Sequence, residues 1–521
     1  MDENENSTKD DNTKIITNEV AMNLNLNNST INVVPTRDRD WLKILLQKHS
    51  KDLRIQLYHE QRIQQYPILQ NKALVLAPMV DQSDLPFRLL CRNYGTNLCF
   101  TPMIHAKMLC TDKAYRKKFW NRDPHPPQGS TTTTRISCQD RPLIVQLCGS
   151  DKYMLEQAIR IILGTAVPIS TQDTYPIDGI DINCGCPQDI ARRGKYGAFL
   201  LEQEELLVDL VRHLAQTFYP LPISVKVRLL PTGNISDSLH LYTRLVDAGA
   251  AMLTIHGRHR HQKGHLTGPA NWDAIKQAVQ LLGHRIPILA NGSIYNLDTV
   301  QDCLQQTGAD GVMSSEAILE YPAMFTLNNI QLTQGKRLVG PGRIQLTREY
   351  LHLCKEFPPE KSGQGNGLST IRAHLFKLLF QDTQEYTFIR DALARSKTFD
   401  DYVSICNQVE EIHEKNGHVV ENEDLSWYFR HWKNHANQHG SKSSSNNKEL
   451  IEKRIRRDSE EEEDESMKEE EEEKKDMEYV YPTKKEMKWS NDSSATTLGV
   501  DCYVEENQES DLKDACCYDE C

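Results

Sequence analysis

The sequence predicts an α/β fold, a (β/α)8 TIM barrel over about 70–330, followed by a smaller all-helical domain over 343–437. Eight strand-like apolar runs alternate with helix-capable stretches, a pattern typical of parallel barrels. Polar residues follow these runs at the points where loops begin. After residue 313 the strand pattern stops while helical patterns continue. A chain of 521 residues is long enough for a barrel and a second domain.

The predicted strands are short apolar runs, and the predicted helices between them carry apolar residues at helical spacing. We expect strands at 73–77, 97–101, 143–147, 179–183, 223–227, 251–255, 286–290 and 310–313. We expect helices at 84–94, 204–218, 237–248, 274–282 and 297–307. Before the barrel, 37–69 is an amphipathic helical lead-in that we expect to act as a lid or a brace on it. The polar ends, 1–36 and 438–521, are predicted to be disordered tails.

Composition excludes several classes of protein. Most of the net charge of −12 falls in the acidic run 458–475, so the total charge identifies no partner. The 14 cysteines show no zinc-site or disulfide spacing, so we expect free thiols and no metal. No signal peptide or membrane-spanning apolar run is present, which favours a cytoplasmic protein with no membrane contact. The basic run 453–457 is a candidate nuclear-localisation signal or a solvated charge cluster. We expect a monomer.

Polar side chains from several predicted strands converge on one rim of the barrel. The fourth strand ends in Asn183-Cys184-Gly185-Cys186, the fifth carries Lys226, and the sixth gives His256. Burying such groups without a ligand is costly. Gly292 follows the seventh strand, where such barrels place a phosphate. The rim therefore predicts a planar ligand that carries a phosphate.

Two thiols lie in the turn after the fourth strand. Cys184 alternates with Asn183 along the strand and is predicted to pack in the core. Cys186 lies at the start of the loop, where parallel barrels place their active sites. A free thiol has a pKa of about 8.5 and is mostly protonated at neutral pH, so Cys186 is a candidate proton donor.

Eight segments in this order resemble the flavin-dependent tRNA-dihydrouridine synthases. The resemblance is greatest to the eukaryotic branch that modifies D-loop uridines, the 16/17 type, and RAHLFKLLF at 372–380 extends it into the helical domain. The segments are APMVDQSDLPFR, TPMIHA, RPLIVQLCGSD, DINCGCPQDIARRGKYGAFLL, SVKVR, LTIHGRHRHQKG, ILANGSI and GVMSSEAIL.

The resemblance implies FMN across the barrel mouth and NADPH, or NADH, as the reductant. Gln146 would hydrogen-bond the isoalloxazine, Lys226 would place a cation at its pyrimidine edge, and His256 would lie toward the phosphate. Many members have Gly-Arg after the eighth strand, where this chain has Ser315-Glu316. We expect Ser315 to assist with the phosphate and Glu316 to point away. The remaining cofactor contacts implied are Pro78, Met79 and Val80 at the floor, and Asn291, Gly292 and Ser293 at the phosphate.

The implied reaction reduces the 5,6 double bond of uracil in tRNA. The flavin passes hydride to carbon 6, and Cys186 protonates carbon 5. A uridine inside folded tRNA must be extruded to reach the site. Solvated loop charges are the alternative for each candidate RNA contact. These are Arg192, Arg193, Lys195, Arg258, Arg260 and Lys263 at the mouth, and Arg372, His374 and Lys377 in the helical domain.

Two other functions stay open at the level of the sequence. One is an FMN-dependent reductase of a free pyrimidine-like small molecule, against which the helical domain argues. The other is a non-catalytic tRNA-binding protein, against which the set Gln146, Cys186, Lys226 and His256 argues. Activity on free uracil alone would favour the first, and a colourless protein without FMN would favour the second.

Overall fold

The structure, a computed structural model, describes residues 37–50, 62–120, 140–164, 176–327, 332–333, 336–337, 341–359, 367–416 and 426–429. The predicted tails 1–36 and 438–521, with the basic and acidic runs, lie outside these residues. Nine strands, β1 to β9, form one sheet, and β10 and β11 form a short antiparallel pair. In chain order the strands are Ala73–Leu76, Leu98–Phe100, Ile104–His105, Leu143–Cys148, Gly179–Cys184, Ile223–Leu229, Met252–His259, Ile288–Asn291, Gly311–Ser314, Leu332–Thr333 and Lys336–Arg337.

Eight parallel strands close into a barrel, which confirms the predicted fold. β9 pairs with β1, β1 with β2 and β2 with β4, and the order then runs through to β8 and β9. The two-residue strand β3 adds to the end of β4. Both faces of the sheet are covered, so β1, β4 and β5 are buried along their whole length. This double burial explains the continuous apolar runs in the sequence.

Helices surround the barrel and continue beyond it. Several begin at side-chain caps: Asp151, Asn234 and Asn271 each accept hydrogen bonds from the backbone of the following first turn. In chain order the described α-helices, α1 to α16, are Trp41–His49, Leu85–Asn93, Ala106–Thr111, Lys113–Phe119, Lys152–Leu163, Asp189–Arg193, Glu204–Phe218, Ile235–Asp247, Trp272–Leu282, Leu297–Thr307, Glu316–Glu320, Arg343–Glu356, Leu368–Leu378, Phe380–Glu385, Thr387–Arg395 and Phe399–Asn416.

The lead-in helix α1 braces the amino-terminal ends of the strands. Trp41 is buried and its Nε1 donates to the carbonyl of Ala251, just before β7, at 2.9 Å. Arg39 donates to the carboxylate of Asp310, just before β9, at 2.7 Å. Both contacts lie at the strand ends opposite the loops that follow Asn183 and Asn291. The brace therefore leaves the carboxyl-terminal mouth of the barrel open.

The helical region α12 to α16 packs directly on the barrel. His374, in α13, is fully buried, its Nε2 lies 3.1 Å from the Asp84 carboxylate, and its ring stacks on Phe87 at 4.3 Å. Tyr350, in α12, lies edge-on to Phe87 at 6.1 Å. The sequence predicted His374 on a basic RNA-facing surface, and that prediction is wrong. The motif containing His374 instead joins the helical region to the loop after β1.

Candidate active site

A chain of buried polar side chains lies inside the mouth of the barrel. Asn183 Nδ2 donates to Gln146 Oε1 at 2.9 Å, and Gln146 Nε2 donates to Asp181 Oδ2 at 2.8 Å. Ser224 Oγ donates to Asp181 Oδ1 at 2.7 Å. Strands β5 and β6 pair Asn183 with Lys226, so the Lys226 side chain, which carries an ammonium group, belongs to the same cluster. Each of the five is at most 5% exposed, so the network holds each amide in one orientation.

The sequence reading missed Asp181, although alternation along β5 puts it on the same face as Asn183. Burial raises the pKa of Asp181 to about 6, against the opposing effects of its bonds from Gln146 and Ser224 and of the Lys226 charge. The carboxylate also fixes the Gln146 amide with its nitrogen toward Asp181. Asp181 is therefore a positioning residue for Gln146, which is itself a predicted flavin contact.

Cys186 lies in a turn that is fixed by its own strand. Asn183 Oδ1 accepts from the backbone N–H of Cys186 at 3.0 Å and from that of Gly185 at 3.2 Å. The Cys186 carbonyl accepts from the N–H of Ala198 at 2.9 Å. A Cβ at Gly197 would lie 2.6 Å from that carbonyl, so only glycine fits there. The loop after β5 thus determines where the thiol lies.

Cys186 and Cys184 occupy different surroundings. Cys186 borders a cavity of about 580 Å³ at the barrel mouth. Cys184 is fully buried and lies outside the lining of that cavity, and burial raises its pKa well above the ordinary value. A second free thiol, Cys148, borders the cavity beside Cys186. Of the two thiols weighed from the sequence, Cys186 is the one that a ligand in the cavity would meet.

The cavity that contains Cys186 has mostly apolar walls. Met79 and Val80, two of the predicted floor residues, line it, whereas Pro78 is buried and lies outside its lining. Aromatic side chains from α4 and from a distant segment complete the wall, and the sequence reading missed them. Further lining side chains are Met103, Tyr115, Phe119, Tyr196, Leu319 and Trp427.

A second cavity at the same mouth is cationic. The predicted phosphate contacts His256, Asn291, Gly292 and Ser293 all line it. Ser315 and Glu316 line both cavities, so the two are neighbours. A Cβ at Gly292, whose φ is +105°, would lie 2.9 Å from Ala270 Cβ, so the backbone approaches this space without a side chain. The other basic lining residues are Arg228 and Arg258.

Arg258 belongs to this second cavity and not to an RNA-facing surface, which corrects its predicted role. It is 6% exposed, and its guanidinium donates to Gly268 O at 2.7 Å and to Ser293 Oγ at 3.2 Å. β7 continues to His259, so Arg258 shares a strand face with His256, whose Nε2 lies 3.0 Å from Arg258 Nη1. An arginine from β7 therefore lies beside Ser293, in a barrel that lacks one after β9.

The positive charge of the cationic cavity helps to lower the pKa of His256. Burial and the charges of Arg228, Arg258 and Lys226 together hold the pKa of His256 well below its ordinary value, so its imidazole is neutral. Arg228 is 2% exposed and donates to the carbonyl of Gly185 at 2.7 Å, which links the cationic cavity to the turn that carries Cys186. An anion in this space would be strongly favoured.

Glu316 does not point away from the site as expected. It lines both cavities. Burial raises the pKa of the Tyr428 phenol in the cationic cavity, the Arg258 charge opposes this shift, and the negative charge of Glu316 adds to it. Ser315, its neighbour, is half-buried at the point where the two cavities meet. Both residues therefore border the ligand space.

The candidate RNA contacts near Cys186 divide into exposed and buried groups. Arg193 and Lys195 are exposed and Arg192 is half-buried, all in or just after α6. Lys263 donates to the carbonyl of Pro187, next to Cys186, at 3.1 Å. Arg260 is 7% exposed and pairs with Glu202, with its guanidinium 5.0 Å from the Phe199 ring. The RNA role predicted for Arg260 is wrong because this ion pair buries it.

The two remaining candidates in α13, Arg372 and Lys377, are both half-buried. Arg372 donates to the carbonyl of Ala394 at 2.9 Å. Lys377 donates to the carbonyl of Ala373 at 3.2 Å, and its Nζ lies 5.0 Å from the centre of the Trp427 ring. Lys377 therefore lies at the edge of the Cys186 cavity, whereas Arg372 is engaged within the helical region.

Comparison with known proteins agrees with this geometry. The family model described as dihydrouridine synthase (Dus) matches residues 75–416, which is more than half of the chain. The chain belongs to the dihydrouridine synthase family. The match covers every strand of the barrel from β2 onward and the helices through α16. Membership supports the barrel and the helical region as parts of one family architecture.

Named relatives of this chain include tRNA-dihydrouridine(16/17) synthases and a 20a/20b synthase-like protein. The rat tRNA-dihydrouridine(16/17) synthase [NAD(P)(+)]-like protein is 38% identical over 331 residues, which is 64% of this chain and 65% of that protein. The Saccharomyces cerevisiae tRNA-dihydrouridine(16/17) synthase [NAD(P)(+)] is 36% identical over 320 residues, covering 61% and 68%. The mouse 20a/20b synthase-like protein is 35% identical over 255 residues, covering 48% and 68%. The chain thus spans just under two thirds of the rat relative.

Neither a metal-binding group nor a membrane-spanning helix is seen in the part of the chain that the structure describes. Within those ranges, no three or more His, Cys, Asp or Glu side chains form a group able to hold a metal ion. None of the helices in those same ranges is both long and apolar enough to cross a membrane.

Proposed function

We propose that this family member is an FMN-dependent tRNA-dihydrouridine synthase. It would reduce the 5,6 double bond of specific D-loop uridines, with NADPH or NADH as reductant and Cys186 as proton donor. One observation carries the proposal: the apolar cavity with Cys186 and the cationic cavity with Arg258 are neighbours at one barrel mouth and share Ser315 and Glu316.

The two cavities fit the parts of FMN. Apolar side chains such as Met79 and Val80 suit a planar ring, and the cations Arg228 and Arg258 suit a phosphate. Gly292 and Ser293 both have positive φ and both line the cationic cavity. Gln146 and Lys226 are buried and lie outside the lining of both cavities. Their contacts with the isoalloxazine, and that of Pro78, stay predictions.

The residues of this chain have distinct tasks in the proposed reaction. Bound FMN would supply hydride to carbon 6 of the uracil after reduction by the nicotinamide. Cys186 would hold the proton for carbon 5 on its Sγ, and the turn fixed by Asn183 would keep that thiol at the cavity wall. Apolar walls would exclude water, so the proton would come from Cys186 and not from solvent.

The proposed substrate is tRNA, the substrate that the relatives' names give for those proteins. Arg193 and Lys195 are exposed beside the Cys186 turn and would contact the backbone on either side of an extruded uridine. Lys377 would extend this contact into the helical region. We also propose that the protein acts as a monomer in the cytoplasm.

The test uses the full-length protein with tRNA that lacks modifications. The purified chain should contain FMN, and NADPH should drive formation of dihydrouridine that maps to D-loop positions 16 and 17. Reduction of free uracil with no product on tRNA would contradict the proposal in favour of a small-molecule reductase. A colourless chain that binds tRNA without FMN would contradict it in favour of an RNA-binding protein.

A further inference from the structure

A short segment beyond the helical region returns to the barrel mouth. Residues 426–429, here called the return segment, follow α16 in the chain and lie outside the stretch matched by the family model, which ends at residue 416. Trp427 lines the cavity that contains Cys186, and Tyr428 lines the cationic cavity. Four residues outside the family match thus contribute an aromatic side chain to each half of the site.

A buried carboxylate anchors the return segment. Glu320 is 4% exposed, and its Oε2 accepts from Ser426 Oγ at 2.7 Å and from the Tyr428 N–H at 2.9 Å. Its Oε1 accepts from Arg343 Nη2 at 3.2 Å. Glu320 ends α11, the helix that begins at Glu316 in the lining of both cavities. The anchor therefore connects the return segment to the wall of the site.

Trp427 is more exposed than the residues at the floor of its cavity. Met79 is 4% exposed and Cys186 is 3% exposed, whereas Trp427 is half-buried and stands at the rim. A resident cofactor ring would occupy the deeper space, and a nucleotide arriving from outside would meet the rim. Tyr428, in contrast, is 8% exposed and its ring lies 5.5 Å from that of Tyr295. Of the two aromatic residues, Trp427 is the one placed for an incoming group.

The ammonium group of Lys377 lies close to the indole ring of Trp427. Lys377 Nζ lies 5.0 Å from the centre of the Trp427 ring. An aromatic face beside a positive charge is the arrangement that single-stranded nucleic acids favour, because the base stacks while the cation meets the phosphate. The pair is built from two parts of the chain, α13 and the return segment, which meet only in the folded structure.

We propose that Trp427 is a substrate contact that stacks on the extruded uridine base, with Lys377 beside the adjoining phosphate. This inference rests on the proposed function and names the residue that would receive the flipped nucleotide. It also assigns a task to a segment that the family match does not include. Ser426 and Glu320 would act through Trp427 as positioning residues.

The test compares Trp427→Ala, Trp427→Phe and wild type in the full-length chain. Stacking on an aromatic residue predicts that Trp427→Ala lowers kcat/KM for tRNA and weakens tRNA binding by roughly 5- to 100-fold. Trp427→Phe should recover most of both. FMN content after purification should equal that of wild type. Tyr153→Ala removes another aromatic side chain, 60% exposed on α5 and away from both cavities, and should match wild type throughout.

Two results would overturn the inference. One is a Trp427→Ala protein with wild-type kcat/KM and tRNA affinity. The other is a Trp427→Ala protein whose lost activity is fully explained by lost FMN, which would make Trp427 a cofactor contact. A wild-type chain that makes no dihydrouridine would refute the proposed function instead. In that case the tRNA dissociation constants of wild type and Trp427→Ala would still decide whether the stacking contact exists.

Discussion

The buried carboxylate of Asp181 should make the protein less stable as the pH rises toward neutrality. Burial raises its pKa to about 6 in the folded chain, against an ordinary value of 3.8. Between these pH values the folded chain keeps a proton on Asp181 that the unfolded chain has released. The stabilising effect is therefore complete below the ordinary pKa and is lost as the pH rises through the folded pKa.

The magnitude follows from the size of the shift. About two pKa units at about 1.4 kcal/mol each amount to about 3 kcal/mol of unfolding free energy. Asp181→Asn cannot ionise, and its side-chain oxygen can still accept from Gln146. Wild type should therefore lose about 3 kcal/mol relative to Asp181→Asn between pH 3 and pH 7.

Urea unfolding followed by tryptophan fluorescence across this pH range measures the difference between the two proteins, and other titrating groups cancel in the comparison. Asp178→Asn is the matched control with the opposite sign. Burial alone would raise the pKa of Asp178, but the nearby His49 imidazole, 3.6 Å away, and the hydrogen bonds from Arg141 bring it below its ordinary value. The advantage of wild type over Asp178→Asn should therefore shrink as the pH falls. A difference between wild type and Asp181→Asn that stays constant with pH would refute the reasoning about Asp181.

Three further substitutions test the site and its support. Gly292→Ala should weaken FMN binding roughly tenfold or more in equilibrium dialysis, because the new Cβ would lie 2.9 Å from Ala270 Cβ at a φ of +105°. Gly233→Ala, with open space around the added Cβ, should keep wild-type affinity; equal losses would contradict the assignment. Cys184→Ser should still form dihydrouridine while losing about 1–3 kcal/mol of stability to a buried hydroxyl. His374→Ala should lower the thermal midpoint by breaking the contact between α13 and the loop after β1, and an unchanged midpoint would count against that contact.

The sequence was sufficient to predict the barrel because the signals for it are local. Each strand is a buried apolar run, and β1, β5 and β9 fall within a residue or two of their predicted bounds. The turn at Cys186 and the phosphate side at Gly292 also follow from position, because parallel strands bring their carboxyl ends to one mouth. Topology thus converts short local patterns into a shared site.

Strand alternation could have located Asp181, but the other features that the sequence did not predict depend on contacts between distant residues. The sequence predicts Arg260 to be a surface cation, whereas the structure pairs it with Glu202, 58 residues away. Arg258 lies in the cationic cavity because β7 extends beyond the apolar run from which this strand was predicted. Trp427 lies at the barrel mouth because its neighbours Ser426 and Tyr428 donate to Glu320, more than 100 residues earlier in the chain. No periodicity or motif in a single sequence encodes such pairings.

The most direct measurement of the central claim is the product formed by Cys186→Ala with tRNA and NADPH. The variant should retain FMN and should still reduce it with NADPH, yet dihydrouridine formation should fall by at least about a hundredfold, as expected when a general acid is removed. Cys184→Ser is the matched thiol control and should form product. Dihydrouridine formation by Cys186→Ala at the wild-type rate would contradict the assignment of Cys186 as the proton donor.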